Sequence, residues 1–109
     1  LTATPDLAGV FTSEEKTGAG VARQLEISGK AKDIKFVAFD ASDALIQALQ
    51  KGIVDALVVQ QPYQMGYLGV EFAVKAIRGE SIPAFVETPT VVVTRDNFND
   101  PDIQKILYP

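Results

Sequence analysis

The sequence has no cysteine and no histidine among its 109 residues. The lack of cysteine excludes disulfides, thiolate nucleophiles and zinc sites built on cysteine. The lack of histidine removes the commonest metal ligand and excludes a Ser-His or Cys-His pair within this chain. Since no nucleophile–base pair can be recognised in what remains, we predict that the protein is not an enzyme and has no catalytic residue.

The sequence also lacks a long apolar run and an excess of basic residues. No run approaches the roughly 20 apolar residues that a membrane helix needs, and the net charge is −4. That charge gives no electrostatic reason to expect nucleic acid as a partner. The chain begins at Leu1 with no signal peptide in view, so we expect a processed or truncated piece of a longer protein.

What is present is a regular alternation of strand-like and helix-like segments. Ser42 and Asp100 are predicted helix N-caps, and Pro89 favours an edge strand or a crossover in the segment around it. The predicted elements are strands at 8–12, 34–39 and 55–60, helices at 15–28, 42–52, 62–79 and 100–107, and an extended segment at 85–94. This alternation predicts an α/β fold with a parallel sheet and flanking helices.

Three of the predicted strands run directly into polar residues. Ser13 and Glu14 follow the first strand, Asp40 follows the second and Gln60 follows the third. Ligands of open α/β sheets bind outside the carboxyl ends of the strands. With right-handed crossovers these ends meet at one edge, so we predict a common ligand-binding rim there.

Each of these residues also has a purely structural interpretation, and two further motifs have weak functional ones. Asp40 can cap the following helix, Glu14 can complement a helix dipole, and Gln60 can be a solvated strand end. The glycine run at 18–20 lacks the third glycine of a dinucleotide fingerprint, and the acidic stretch at 96–102 lacks the glycine of a calcium loop. We therefore predict no cofactor and no metal ion.

Three motifs together resemble the ribose-type periplasmic sugar-binding proteins, which are the solute receptors of ABC importers. They occur in the family's order and spacing at residues 9–20 (GVFTSEEKTGAG), 37–42 (VAFDAS) and 57–66 (LVVQQPYQMG). The resemblance implies two flavodoxin-like, Rossmann-like lobes that close on a ligand by hinge motion. It further implies that this chain is an incomplete part of that fold. Residues 1–60 would belong to the C-terminal lobe, 61–89 would be a helix and strand of the N-terminal lobe flanked by hinge crossings, and 90–109 would return to the C-terminal lobe.

The resemblance also assigns ligand contacts by position. The family's Asp after the second strand falls on Asp40, its Gln before the hinge proline falls on Gln60, and its Asn falls on Glu14. Glu14 departs from the pattern, because an ionised carboxylate only accepts hydrogen bonds whereas Asn also donates them. A ligand with an amino group or extra hydroxyl donors would suit Glu14; alternatively, Ser13 takes over this contact.

The function implied by the resemblance is capture of a sugar or sugar-like solute and its delivery to an ABC permease. The implied location is the periplasm or the extracellular face of the membrane, where a lipid anchor is compatible with the family. The related alternative is the effector-binding core of a LacI-type regulator, but residues 48–57 are more similar to the importer receptors. Because the 62–79 helix would have lost its sheet, its exposed apolar stripe predicts that the fragment, studied alone, either self-associates or is a remnant of a degraded parent.

Overall fold

Strands and helices alternate along residues 3–108, the part of the chain that this computed structural model describes. Residues 1, 2 and 109 lie outside that part; they belong to the predicted lobe segments 1–60 and 90–109. The elements are β1 Gly9–Thr12, α1 Glu15–Ser28, β2 Lys35–Phe39, α2 Asp43–Gln50, β3 Ala56–Val59, α3 Pro62–Ile77, β4 Val91–Thr94 and α4 Pro101–Leu107. The predicted order of elements is confirmed, but only the last four residues of the extended 85–94 segment form a strand.

The four strands form one mixed sheet in the order β1-β2-β3-β4. β1, β2 and β3 are parallel, as predicted, whereas β4 runs antiparallel to β3 at the edge. The register explains this, since the chain leaves the sheet at Val59 and re-enters directly opposite it at Val91. No helix crosses the sheet between these two residues, so the returning strand runs in the opposite direction.

Capping residues determine where three of the helices begin or end. Ser42 caps α2 by accepting a hydrogen bond from the Leu45 backbone N–H, and Asp100 caps α4 before a proline at the first helical position. Gly29 ends α1 in the left-handed conformation that favours glycine. The two predicted N-caps are therefore confirmed.

The hydrophobic core lies on one face of the sheet. Phe36, Leu57 and Val93 point to this face and are fully buried. The residues that cover them come from α1, α2, α4 and the turn before β3 and include Leu25, Leu45, Leu49, Val54, Ile103 and Leu107. The helices among the described residues thus form a single layer against the sheet, apart from α3.

The opposite face of the sheet is apolar, and no helix within residues 3–108 lies over it. Phe11 and Val92 point to this side with 60% and 56% of their surfaces exposed. Val37, Phe39 and Val58 lie between them in the register and are only partly buried, outside the core cluster. We call these five residues the open sheet face.

Helix α3 has no buried residue and extends away from the sheet. The chain is 57 Å long and 17 Å thick, and its radius of gyration is 17.5 Å. A compact domain of this length has a radius of gyration of about 13 Å. The difference reflects α3 and the irregular segment after it, which lie outside the packed body.

Candidate functional site

The carboxyl ends of β1, β2 and β3 meet at one edge of the sheet because these strands are parallel. Asp40 is the first residue after β2 and Gln60 is the first residue after β3. The structure brings these two side chains into direct contact. The predicted rim is therefore present for these two residues.

Asp40 has an unusual backbone conformation. Its φ of 65° is in the left-handed region, which among residues 3–108 is otherwise occupied only by glycines. Its N–H donates to the carbonyl of Val58 at 2.8 Å, so the β2–β3 ladder continues through this residue. Non-glycine residues in this region are concentrated at functional sites, because surrounding structure must hold them there.

Asp40 and Gln60 form a hydrogen-bonded pair. Gln60 Nε2 donates to Asp40 Oδ1 at 2.8 Å, and both side chains are partly buried. Among the described residues, neither Asp40 Oδ2 nor the Gln60 carbonyl oxygen has another partner. The pair thus presents two neighbouring acceptors and one remaining amide hydrogen to a ligand.

The pair lies in a cleft of about 550 Å³ at the edge of the sheet. Its polar side is formed by Glu15, Asp40 and Gln60, and its apolar side includes Val59 and Met65. The complete lining is Glu15, Asp40, Ala41, Val59, Gln60, Pro62, Met65, Ile106 and Leu107. An apolar wall with a few polar groups is typical of small-molecule sites.

Glu14 does not face this cleft with a free carboxylate. It is the N-cap of α1: Oε1 accepts from the Lys16 N–H at 2.9 Å, and Oε2 accepts from the Thr17 N–H at 3.0 Å. Oε2 also accepts from the Thr17 hydroxyl at 2.7 Å. These bonds, the Thr17 hydroxyl first, lower the pKa of Glu14 below its ordinary value. The structural interpretation of Glu14 at the helix N-terminus is therefore realised.

Ser13 and Glu15, the two neighbours of Glu14, differ in their position relative to the cleft. Ser13 is exposed and is not among the cleft-lining residues, whereas Glu15 is. Glu15 lies in the first turn of α1, and its place directly after Glu14 is the signal in the sequence that could have identified it. Nothing in the sequence signalled the contribution of Ile106 and Leu107, which reach the cleft only through the packing of α4.

The described residues offer neither a metal site nor a helix for a membrane. Within residues 3–108 no group of three His, Cys, Asp or Glu side chains is arranged to hold a metal ion. The helices in the same range are all too short or too polar to span a bilayer.

Comparison with known proteins identifies close relatives. A family model described as "Periplasmic binding protein domain" matches residues 1–81. The ribose import binding protein RbsB of Salmonella typhimurium is 38% identical over 84 residues, which are 77% of this chain and 28% of that protein. An ABC transporter solute-binding protein of Agrobacterium vitis, solved with alpha-D-tagatopyranose, matches 99% of this chain and 36% of its own, with 35% identity and a TM-score of 0.93.

A weaker match concerns the alternative function. A structure from Brachyspira murdochii, described as an ABC transporter and LacI family transcriptional regulator, has a TM-score of 0.66 and 34% identity. It covers 71% of this chain and 24% of that one. In all three comparisons this chain spans about a quarter to a third of the relative's length.

Proposed function

The chain belongs to the periplasmic binding protein domain family, and we propose that it is part of an extracytoplasmic solute-binding protein that captures a sugar or sugar-like small molecule. The observation that carries this proposal is the Asp40–Gln60 pair, hydrogen-bonded at 2.8 Å on a cleft at the ends of adjacent parallel strands. In this role the chain binds and releases its ligand without chemical change.

Asp40 and Gln60 suit a ligand with neighbouring hydroxyl groups. Asp40 Oδ2 accepts one hydroxyl in a charge-assisted hydrogen bond, which is about twice as strong as a neutral one. The Gln60 amide accepts a second hydroxyl or donates to a sugar oxygen. Because Gln60 already holds Asp40 Oδ1, the carboxylate is oriented before the ligand arrives, and little side-chain ordering remains to oppose binding.

The second wall of the cleft comes from outside the packed body. We propose that residues 61–89 belong to the other lobe, with hinge crossings at Gln60–Pro62 and near Pro89. The lack of any fully buried residue in α3 and the return of the chain to the sheet at Val91 support this division. A cleft with one wall leaves its polar groups in water, so we expect this chain alone to bind sugars only at millimolar concentrations or weaker.

Three acidic residues near the rim have different roles in this proposal. Asp40 contacts the ligand, Glu15 adds a second carboxylate to the cleft, and Glu14 holds the first turn of α1 in place. Two carboxylates at one edge favour a ligand that is rich in donors, including an amino sugar. The Ser13 hydroxyl, which is exposed, stays a predicted contact for such a ligand.

Membership of the family supports a proposal for the partner and the location. We propose that the complete protein delivers its solute to an ABC permease on the outer side of the cytoplasmic membrane, in the periplasm or held by a lipid anchor. The fold match to an Agrobacterium vitis importer component, at a TM-score of 0.93, supports this function over the regulator, whose match is 0.66.

The test is an NMR titration of the ¹⁵N-labelled chain with D-ribose, D-tagatose and D-galactosamine. We expect amide shifts confined to residues around Asp40 and Gln60. Asp40→Asn keeps the left-handed backbone, which Asn tolerates, but removes the charge. It should weaken binding about tenfold, since charge-assisted hydrogen bonds exceed neutral ones by roughly 1–1.5 kcal/mol.

The matched control is Asp43→Asn, which removes one acid from the exposed first turn of α2. This variant should bind as the parent does, whereas Gln60→Leu should bind more weakly than either. Shifts spread over the α1–α2 surface, or an equal effect of Asp40→Asn and Asp43→Asn, would contradict the proposed site. If no sugar shifts any residue of the cleft at concentrations far above the millimolar range, the result would contradict the proposed ligand class.

A further inference from the structure

The apolar side of the cleft is formed in part by residues of the packed body. Val59 and Leu107 line the cleft and belong to the core, with 5% and 9% of their surfaces exposed. Ile106 lines the same cleft, is partly buried and packs against the core. This part of the cleft is therefore an extension of the hydrophobic core, and its side chains are supported from behind by their own chain.

Helix α4 holds Ile106 in a fixed position. Ile103 and Leu107 of the same helix are buried in the core. Gln104 Nε2 donates to the carbonyl of Phe98 at 2.6 Å, which ties the helix to the turn that precedes it. Isoleucine is branched at Cβ, so its side chain has few rotamers in a helix. Of the two α4 residues in the cleft, Ile106 is the more accessible, and it presents a rigid apolar surface to a ligand.

We infer that Ile106 is a specificity-determining residue of the cleft. It favours a sugar whose substituent opposite the hydroxyls bound by Asp40 and Gln60 is apolar, as in a 6-deoxy sugar. Among the described residues that line the cleft, strongly hydrogen-bonding side chains are limited to Glu15, Asp40 and Gln60. A sugar held by this polar side directs its other end toward the apolar side. The inference rests on the proposed function, because it requires a sugar at the Asp40–Gln60 pair.

A hydroxyl group and a methyl group have opposite effects on binding next to Ile106. A hydroxyl that leaves water to lie against this side chain loses its hydrogen bonds. A methyl group in the same place is removed from water, which favours binding. An enclosed hydrophobic pocket discriminates about 100-fold against an added hydroxyl. Because this cleft is open to water on one side, we expect a smaller preference for the 6-deoxy sugar, about five- to tenfold.

D-Fucose and D-galactose are the matched pair of ligands, because they differ only in the 6-hydroxyl group. Each is titrated into the ¹⁵N-labelled chain, and its dissociation constant is obtained from the amide shifts around Asp40 and Gln60. We expect the parent to bind D-fucose about five- to tenfold more tightly. Ile106→Thr keeps the branched Cβ but offers a hydroxyl to the sugar, so the two sugars should bind equally or D-galactose more tightly. Ile106→Val should keep the preference for D-fucose.

The matched control is Ile27→Thr, the same substitution at a position of α1 that is 71% exposed and lies outside the cleft. This variant should keep the preference of the parent for D-fucose. A parent that binds both sugars equally, or D-galactose more tightly, would overturn the inference and leave the proposed function in place. Failure of both sugars to shift any cleft residue at concentrations far above the millimolar range would overturn both.

A second measurement requires no substitution and so does not depend on the folding of a variant. The chain is labelled with ¹³C at the Cδ1 methyl groups of its isoleucines, and nuclear Overhauser effects to D-fucose are recorded. We expect the sugar methyl group to give its strongest effect with Ile106. A strongest effect with any other isoleucine, or none with Ile106 while the sugar is bound, would overturn the inference.

Discussion

Two glycines of α1 should respond oppositely to the same substitution. A Cβ added at Gly18 would lie 3.0 Å from Thr12 Oγ1 and 3.4 Å from both Ala38 Cβ and Leu45 Cδ2. A Cβ added at Gly20 would meet nothing within 4 Å. Leu45 is fully buried, so it cannot move aside. Gly18 is therefore a position where α1 approaches the sheet closely, next to the end of β1.

The magnitude follows from two opposing terms. Replacing glycine by alanine in a helix interior stabilises by about 1 kcal/mol, and overpacking a core costs about 1–3 kcal/mol. Gly20→Ala gains only the first term, so it should stabilise the fold by about 1 kcal/mol. Gly18→Ala has both the gain in helix propensity and the cost of overpacking. The gain is the same in both variants, so Gly18→Ala should be less stable than Gly20→Ala by the overpacking cost of about 1–3 kcal/mol.

Urea unfolding followed by far-UV circular dichroism measures this difference. All variants are compared at one protein concentration, because self-association makes apparent stability depend on concentration. In a Thr12→Ala background the closest contact of the new Cβ is gone, so Gly18→Ala should cost less there. Equal stability of Gly18→Ala and Gly20→Ala in the parent background would refute the close approach of α1 to the sheet.

Three further predictions concern single side chains. The buried hydroxyl of Thr12 has no hydrogen-bond partner among the described residues, so Thr12→Val should stabilise by about 1 kcal/mol in urea unfolding. Ser42→Ala removes the cap on the Leu45 N–H and should cost about 0.5–1 kcal/mol, and an unchanged midpoint would argue against this cap. The third prediction concerns pH, because Thr17 and backbone N–H groups lower the pKa of Glu14 in the folded state. A lowered pKa stabilises the fold at pH values above the unfolded pKa of about 4.3. This stabilisation is lost as the pH falls through the folded pKa. Glu14→Gln should therefore flatten the acid side of the stability profile, and parallel profiles would contradict the cap.

The elements that the sequence predicted best are those with local chemical signals. The bounds of α1 and the N-caps of α2 and α4 were predicted correctly, because Gly29, Ser42 and Asp100 fix them through hydrogen bonds within a few residues. The parallel pairing of three strands followed from helices of crossover length between them. The direction of β4 could not be predicted, because it depends on whether α3 crosses the sheet.

The role of Glu14 could not be predicted from the sequence for a different reason. The sequence placed an acid at the end of β1, where both a ligand contact and a helix cap require an exposed oxygen acceptor. The structure shows the helix cap, with a side-chain rotamer that directs both oxygens to Lys16 and Thr17, and the ligand contact stays a prediction. Asp40 and Gln60, in contrast, follow adjacent strands, so their proximity was implied by the topology itself.

The strand β3 is apolar on both of its faces although only one is covered. Leu57 and Val59 are buried in the core, whereas Val58 points to the open sheet face and is only partly buried. Strands with this composition are typical of sheets with helices on both sides. The sequence of β3 is therefore that of a strand with a helix layer on each side of its sheet, and the helices within residues 3–108 supply only one of these layers.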